Sequence, residues 1–128
     1  MGGAGVLSSV LMLAREIESP GRAVIATDAQ GTVIYWGVGA RLLYGWTEAE
    51  ALGRNIVDVT SGELSRAEAH EIMRTLLAGD PWSGEFVVCT KDGTRFGAHV
   101  TDVPVHDARG RLLGIVGISR RTGYLGTR

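Results

Sequence analysis

The side chains able to do chemistry are few, and their spacing does not suit it. His70, His99, His106, Asp102 and the single Cys89 are the natural candidates for acid–base, nucleophilic or metal work. A base relay needs both partners on one face, and His99 and Asp102, three apart in a strand-like run, point to opposite faces. His99 and His106 lie seven apart across a strand and a turn, with no third ligand spaced to complete a metal site. One cysteine permits neither an internal disulfide nor a multi-cysteine centre, and a buried, inert thiol is the favoured reading of Cys89. Gly37-Val38-Gly39 lacks both the Gly-x-Gly-x-x-Gly spacing and a following Lys-Ser/Thr, so it is no phosphate loop. Catalysis and a metal centre are not expected; the residues read as a binding module, not an enzyme.

The elements that would position these residues fit one domain. The chain has 128 residues, 13 basic against 14 acidic, and a formal net charge of −1, so nothing supplies the positive field that nucleic acid requires. In "MGGAGVLSSVLMLAREIESPG" the apolar stretch has no basic leader and is interrupted by Arg15 and Glu16. Export and membrane insertion are therefore not expected, and Val6 stands where a myristoylation motif wants Ser or Thr. The cytoplasm is the expected compartment. Val6, Val10, Leu13 and Ile17 recur at helical spacing, which predicts an amphipathic helix over residues 1–20. That stripe either packs on its own domain or forms the seam of a homodimer.

"AVIATD" and "TVIYW" predict a hairpin across Asp28-Ala29-Gln30-Gly31. Ala40 to Tyr44 predicts a turn of helix; Thr47-Glu48-Ala49-Glu50 is a capping box closed by Gly53, and Asn55 to Val59 suits another turn. Ser65-Arg66-Ala67-Glu68 caps a longer helix, with Ala69, Ile72, Met73 and Leu76 on its apolar face and His70 at that face's edge. From Trp82 the period becomes two, and Asp92-Gly93 suits a two-residue hairpin turn. That register pairs Cys89 with Phe96, Val87 with Ala98 and Phe86 with His99, placing His99 and Cys89 on opposite faces. "RLLGIVGIS" is a further strand. The class is α+β, with a five-stranded antiparallel sheet.

The order of these elements and the residues "AVIATDAQGTVIYW", Tyr44-Gly45-Trp46-Thr47, "PWSGEFVVCTKDGTRF" and "VHDARGRLLGIVGIS" resemble the PAS/PAC sensory module of bacterial signalling proteins. The resemblance covers roughly residues 20 to 119. It implies a sheet in the order 2-1-5-4-3, with short helices and one longer helix cupping one face, over residues 21–121 and followed by a tail at 122–128. The cup is where family members hold haem, flavin, a chromophore or a small metabolite, while others hold nothing. Such modules sit beside a kinase, phosphatase or cyclase domain, as in two-component systems.

The residues that align with family sites narrow this. Light-sensing flavin members carry a reactive Cys in Gly-x-Asn-Cys-Arg, whereas this chain has Gly53-Arg54-Asn55-Ile56. Haem-binding members use a His of the long helix, where His70 sits off the apolar face; Trp82-Ser83-Gly84 also occurs in flavin-carrying relatives. No cofactor is the favoured expectation, with flavin or haem as alternatives. Where many members have Asn after the second strand, this chain has Gly37, which predicts a looser entrance to the cup. The expected pocket walls are Val24, Tyr44, Leu52, Ile56, Met73, Leu77, Cys89, Phe96, Ala98, Val100 and Val116. The expected function is sensory: a small ligand or a partner protein biases two packings and passes the change to an output domain. The alternative is a ligand-free interaction or dimerisation domain, with Gly84, Gly97, Gly114 and Gly117 leaving bare sheet patches; a small-molecule enzyme ranks last.

Overall fold

In a computed structural model of the chain, residues 3 to 60 and 62 to 124 are described, with side chains from residue 7 onward. Gly2, the Val6 side chain and residues 125 to 128 of the expected tail lie outside the described residues. The strands are β1 (Ala23–Asp28), β2 (Val33–Trp36), β3 (Trp82–Cys89), β4 (Arg95–His106) and β5 (Leu112–Thr122). They form one antiparallel sheet in the order β2-β1-β5-β4-β3, as the resemblance implied.

The three hairpins share one loop design. In each, a five-residue unit closes on itself: Asp28 to Thr32, Thr90 to Thr94, and Asp107 to Arg111. The first residue's N–H donates to the fifth residue's carbonyl at 2.9 Å, and the glycine N–H donates to the first residue's carbonyl at 3.0–3.1 Å. The glycines, Gly31, Gly93 and Gly110, take φ of 86°, 90° and 81°, a region that glycine enters without steric cost. The side chain of the first residue completes the unit by accepting the fifth residue's N–H, at 2.9 Å for Asp28, 3.1 Å for Thr90 and 2.9 Å for Asp107.

This design corrects the expected β3–β4 register. The loop between Thr90 and Thr94 has three residues, not two, so Phe96 pairs with Val88, Ala98 with Phe86 and His99 with Glu85. Paired residues share a face, so Cys89 and His99 lie on the same side of the sheet rather than on opposite sides. The shift of one residue exchanges the faces of all of β3 relative to β4.

Four helices cup the inner face: α2 (Val38–Tyr44), α3 (Glu48–Ala51), α4 (Ile56–Thr60) and α5 (Arg66–Leu77). Both expected capping boxes form. Thr47 Oγ1 accepts from Glu50 N at 3.2 Å and Ser65 Oγ from Glu68 N at 3.0 Å, while each glutamate carboxylate accepts the cap residue's own N–H. Between α3 and α4 the backbone runs along β2: Val33 donates to the Arg54 carbonyl, Gly53 to Val33, and Ile56 to Gly31. The inner core gathers Trp36, Tyr44 and Phe96, with ring centroids 5.9 and 5.8 Å apart, around Ala23, Ile25, Val88 and Ala98. Trp36 Nε1 donates to the Trp46 carbonyl at 2.8 Å, which fixes the link from α2 to α3.

The remaining helix, α1 (Gly3–Ile17), lies on the outer face across β1 and β5. Val10 and Ala14 are wholly buried against Val24, Ala26 and Val116, with Leu13 and Ile17 packed at the margin. The stripe is thus spent on its own domain at its centre, and Val10 is not available as a dimer contact. The four bare glycine positions are also taken by the chain itself. A Cβ on Gly114 would meet Val10 at 3.1 Å, on Gly84 the Trp82 indole at 2.6 Å, on Gly117 the Asp102 carboxylate at 2.9 Å, and on Gly97 the Tyr124 backbone.

Gly37 is likewise not a loose hinge. It is buried, its N–H donates to the Val24 carbonyl at 3.0 Å, and a Cβ there would collide with the Glu18 carboxylate. Glu18 Oε1 accepts the Tyr35 hydroxyl at 2.8 Å, so the segment after α1 is latched to β2 beside the start of α2. The bend is pinned by Glu18 instead of by a local Asn, and Gly37 is not among the residues that line the cup's cavity.

Candidate functional site

The inner face does not close completely. Beyond the Trp36–Tyr44–Phe96 cluster, a cavity of about 600 Å³ lies between the sheet and α4 and α5, a size typical of small-ligand sites. Ile25 and Thr27 of β1, Ile115 and Ser119 of β5, and Val100 and Asp102 of β4 form its floor. Ile56, Val57 and Thr60 of α4 and Ile72, Met73 and Leu76 of α5 form its roof. Phe86 and Val88 close one side, and the β1–β2 loop at Gln30 and Gly31 closes another.

Four of the expected wall residues line this space: Tyr44, Ile56, Met73 and Val100. Phe96 and Ala98 face the same side but are consumed in the packed core beside it. Leu52 and Leu77 are corrections: they are 41% and 59% exposed on the outside of the cup. On α5 the inward pair is Ile72 and Leu76, both buried, so the inward stripe runs one residue earlier than Met73 and Leu77 imply. Val24 and Val116 are also corrections, since they belong to the outer cluster under α1. Cys89 follows them, because the three-residue loop turns it to the face shared by Val87 and His99.

The expected pocket walls leave out Asp102, Ser119 and Thr27, the polar part of the floor, with Asp102 weighed only as a partner for His99. A signal was present: once Phe96, Ala98 and Val100 are placed inward, alternation sends Asp102 inward too. His99 points outward, its Nδ1 4.0 Å from Glu85, so His99 and Asp102 do lie on opposite faces. His70 is exposed on α5 and does not reach the cavity. Among the described residues no cluster of three potential ligands could hold a metal ion.

The floor carries a small polar constellation in apolar surroundings. Tyr44 Oη and Ser119 Oγ are 2.9 Å apart and buried, sharing a hydrogen bond across α2 and β5. Burial pushes the Tyr44 hydroxyl up to about 12, the Ser119 hydrogen bond offsets part of that, and the nearby Asp102 carboxylate adds to it. Burial alone raises the Asp102 carboxyl from 3.8 to about 6. The Asp102 side chain is half-buried and opens on the cavity, with no hydrogen bond or ion pair from a described residue.

These groups can be tested against the cofactors of the family. Among the described residues lining the cavity, Asp102 is the one charged side chain; none is Arg, Lys or His. The phosphate of a flavin nucleotide and the propionates of haem therefore meet a carboxylate and no countercharge, and haem finds no imidazole. Ile56 at the position of the photoactive cysteine brings an aliphatic side chain to the cavity wall. The described lining offers no countercharge to an anionic group, and it suits an uncharged or cationic guest.

Comparison with known proteins places the chain in a family. The sequence profile described as "PAS fold" matches residues 11–122, most of the chain including the second half of α1. Phototropin-1A of Oryza sativa subsp. japonica is 30% identical over 93 residues, 73% of this chain and 10% of that protein. The nitrogen fixation regulatory protein of Klebsiella oxytoca is 27% identical over 96 residues, 75% of this chain and 19% of that protein. This chain thus spans a tenth to a fifth of the length of these relatives. An RNA-binding light-oxygen-voltage receptor superposes with a TM-score of 0.74 at 21% identity, over 93% of this chain and 34% of that one, a likeness of fold. No helix among the described residues is long and apolar enough to cross a membrane. With a family profile that spans the second half of α1 and the whole sheet, and a cup in the expected place, the chain belongs to the PAS fold family.

Proposed function

We propose that this domain is a sensory module in which a small, mainly apolar molecule enters the cup and shifts the balance between two packings of the sheet and its helices. The observation that carries this reading is the cavity itself: about 600 Å³, apolar walls, and buried polar groups gathered on one floor. Membership in a family whose relatives here include a phototropin and a nitrogen fixation regulator supports a regulatory role. A ligand acts in this way only through unequal affinity for the two states.

The readout runs through the sheet. β1 and β5 carry the cavity floor on one face and the seat of α1 on the other, so a change in floor packing reaches Val10 and Ala14 through a single layer. We further propose a homodimer built around the partly exposed Leu13 and Ile17, coupled to an attached or separate output domain such as a kinase, phosphatase or cyclase. Binding rather than catalysis is proposed because the Ser119 hydroxyl on the floor is engaged by Tyr44 and no histidine or lysine among the described lining residues is placed to activate a nucleophile.

Native mass spectrometry and absorbance of the purified protein, followed by melting with a metabolite panel, test the sensory reading. A retained non-covalent adduct or a selective rise in melting temperature is the expected result. A colourless, adduct-free protein whose melting responds to no compound sinks it and favours a ligand-free interaction domain.

A further inference from the structure

The cavity floor has a charge pattern that bears on what the cup accepts. Asp102 shares the cavity lining with Val100, Ile115, Ile25 and a mainly apolar roof, and Gly117, its partner on β5, has no side chain. A Cβ on Gly117 would come within 2.9 Å of Asp102 Oδ1, so glycine there is what lets the carboxylate lie across the neighbouring strand on the cavity floor. The titratable groups on the lining are Asp102 and Tyr44, and the Tyr44 hydroxyl is engaged by Ser119. An anionic guest is repelled at short range in a poorly screened site, and a purely apolar guest leaves the carboxylate unpaired.

We propose, resting on the sensory reading above, that the cup is selective for a molecule with an apolar body and one cationic nitrogen group, an amine or amidine, seated on Asp102. The geometry gives each part of such a guest a place. Its body lies between the isoleucines of the floor and Ile72, Met73 and Leu76 of the roof, and its charged end pairs with the carboxylate. The hydroxyls of Thr27 and Ser119 line the same floor and can accept a remaining N–H. An amidine matches a carboxylate with two parallel hydrogen bonds, the arrangement that makes such pairs strong.

The test uses three probes of nearly equal shape, 2-naphthamidine, 2-naphthamide and 2-naphthoate, titrated calorimetrically into the full chain. The amidine is expected to bind best and the naphthoate worst, with the amidine favoured by about tenfold or more, as for a buried charge pair. In Asp102→Asn, which keeps the shape of the side chain, the amidine loses about tenfold or more while the amide is little changed. Lowering the pH through about 6 weakens the amidine in the wild type and not in Asp102→Asn, since Asp102 protonates there and Tyr44 stays neutral throughout. Equal binding of the three probes, or an amidine affinity untouched by Asp102→Asn in a folded variant, overturns charge selection and leaves the sensory reading standing. Failure of all three to bind overturns charge selection for such a body, while the sensory reading stands or falls on the metabolite panel above. Asp102→Val, which removes polarity altogether, distinguishes a lost charge from a lost fold through its melting curve.

Discussion

One helix closes the outer face of the sheet and four close the inner face, yet the single helix leaves less room. Outside, Val10 and Ala14 meet alanine and valine, and Gly114 lets α1 approach until both buried residues lose all exposure. Inside, the aromatic end is packed as tightly, but α4 and α5 bridge over the other end without filling it. The difference follows from shape. A long amphipathic helix presents a continuous stripe to a sheet, whereas short helices must curve around it and meet it at separated points. A structural face and a receptive face can therefore share the same strands, divided only by alternation.

That contrast is best broken by placing a charge on each side. Val10→Asp buries an unpaired carboxylate in the closed face and is expected to cost about 4 kcal/mol or more, enough to unfold much of the protein. Met73→Asp puts the same group on the half-exposed roof of the cavity and is expected to cost well under half as much. Urea denaturation of the two variants decides; similar midpoints would mean that the faces do not differ as described. If instead Val10→Asp stays folded and lowers only the solution mass, Val10 belongs to a dimer seam and not to the closed face.

A smaller effect, of opposite sign, comes from the cavity floor. Asp102 holds its proton more tightly when folded, about 6 against 3.8, so the unfolded chain ionises first. Its contribution to stability is greatest below about pH 4, declines as pH rises through about 6, and above that is a cost of roughly 2–3 kcal/mol. Asp102→Asn is expected to leave stability near pH 4 unchanged and to raise it at pH 7 by up to that amount. Thermal melts at both pH values check this, and equal shifts at both would show that the carboxyl is not desolvated on the cavity floor.

The smallest change sharpens the boundary between the faces. Gly37→Asn places a side chain where the Glu18 carboxylate sits, and is expected to break the Tyr35–Glu18 hydrogen bond at a cost of about 1–2 kcal/mol. Burial and the bond to Glu18 hold the Tyr35 hydroxyl at about 12, so the variant should also bring the tyrosine's titration down. Ultraviolet titration together with melting would register it. Unchanged values would mean that Glu18 is not the latch.

Much of this fold was legible because its signals are local. The Thr47 and Ser65 capping boxes, the turn glycines and the period change at Trp82 each depend on residues within one or two turns of each other. The cavity was less legible because its membership depends on parity, and one loop residue reverses it. Asp92-Gly93 was read as a two-residue turn, and Cys89 moved into the expected pocket while Phe86 and Val88 moved out. The face taken by α1 was open for another reason: an apolar stripe states that it will be buried, and not against what. Asp102 was set aside because His99, the partner it was weighed with, lies on the opposite face, and its own face was not followed to the cup.

The Lys91-Asp92-Gly93 loop thus behaves as a parity setter. Surface loops generally tolerate changes of length, since closing a slightly longer or shorter one alters little entropy. This one is an exception for a geometric reason: removing one residue while keeping β4 in place would turn Cys89, Val87 and Glu85 toward the cup and send Phe86 and Val88 outward. Relatives with a loop one residue shorter or longer should accordingly show the apolar and polar positions of β3 exchanged, a correlation between length and pattern that can be read from sequences without any further structure.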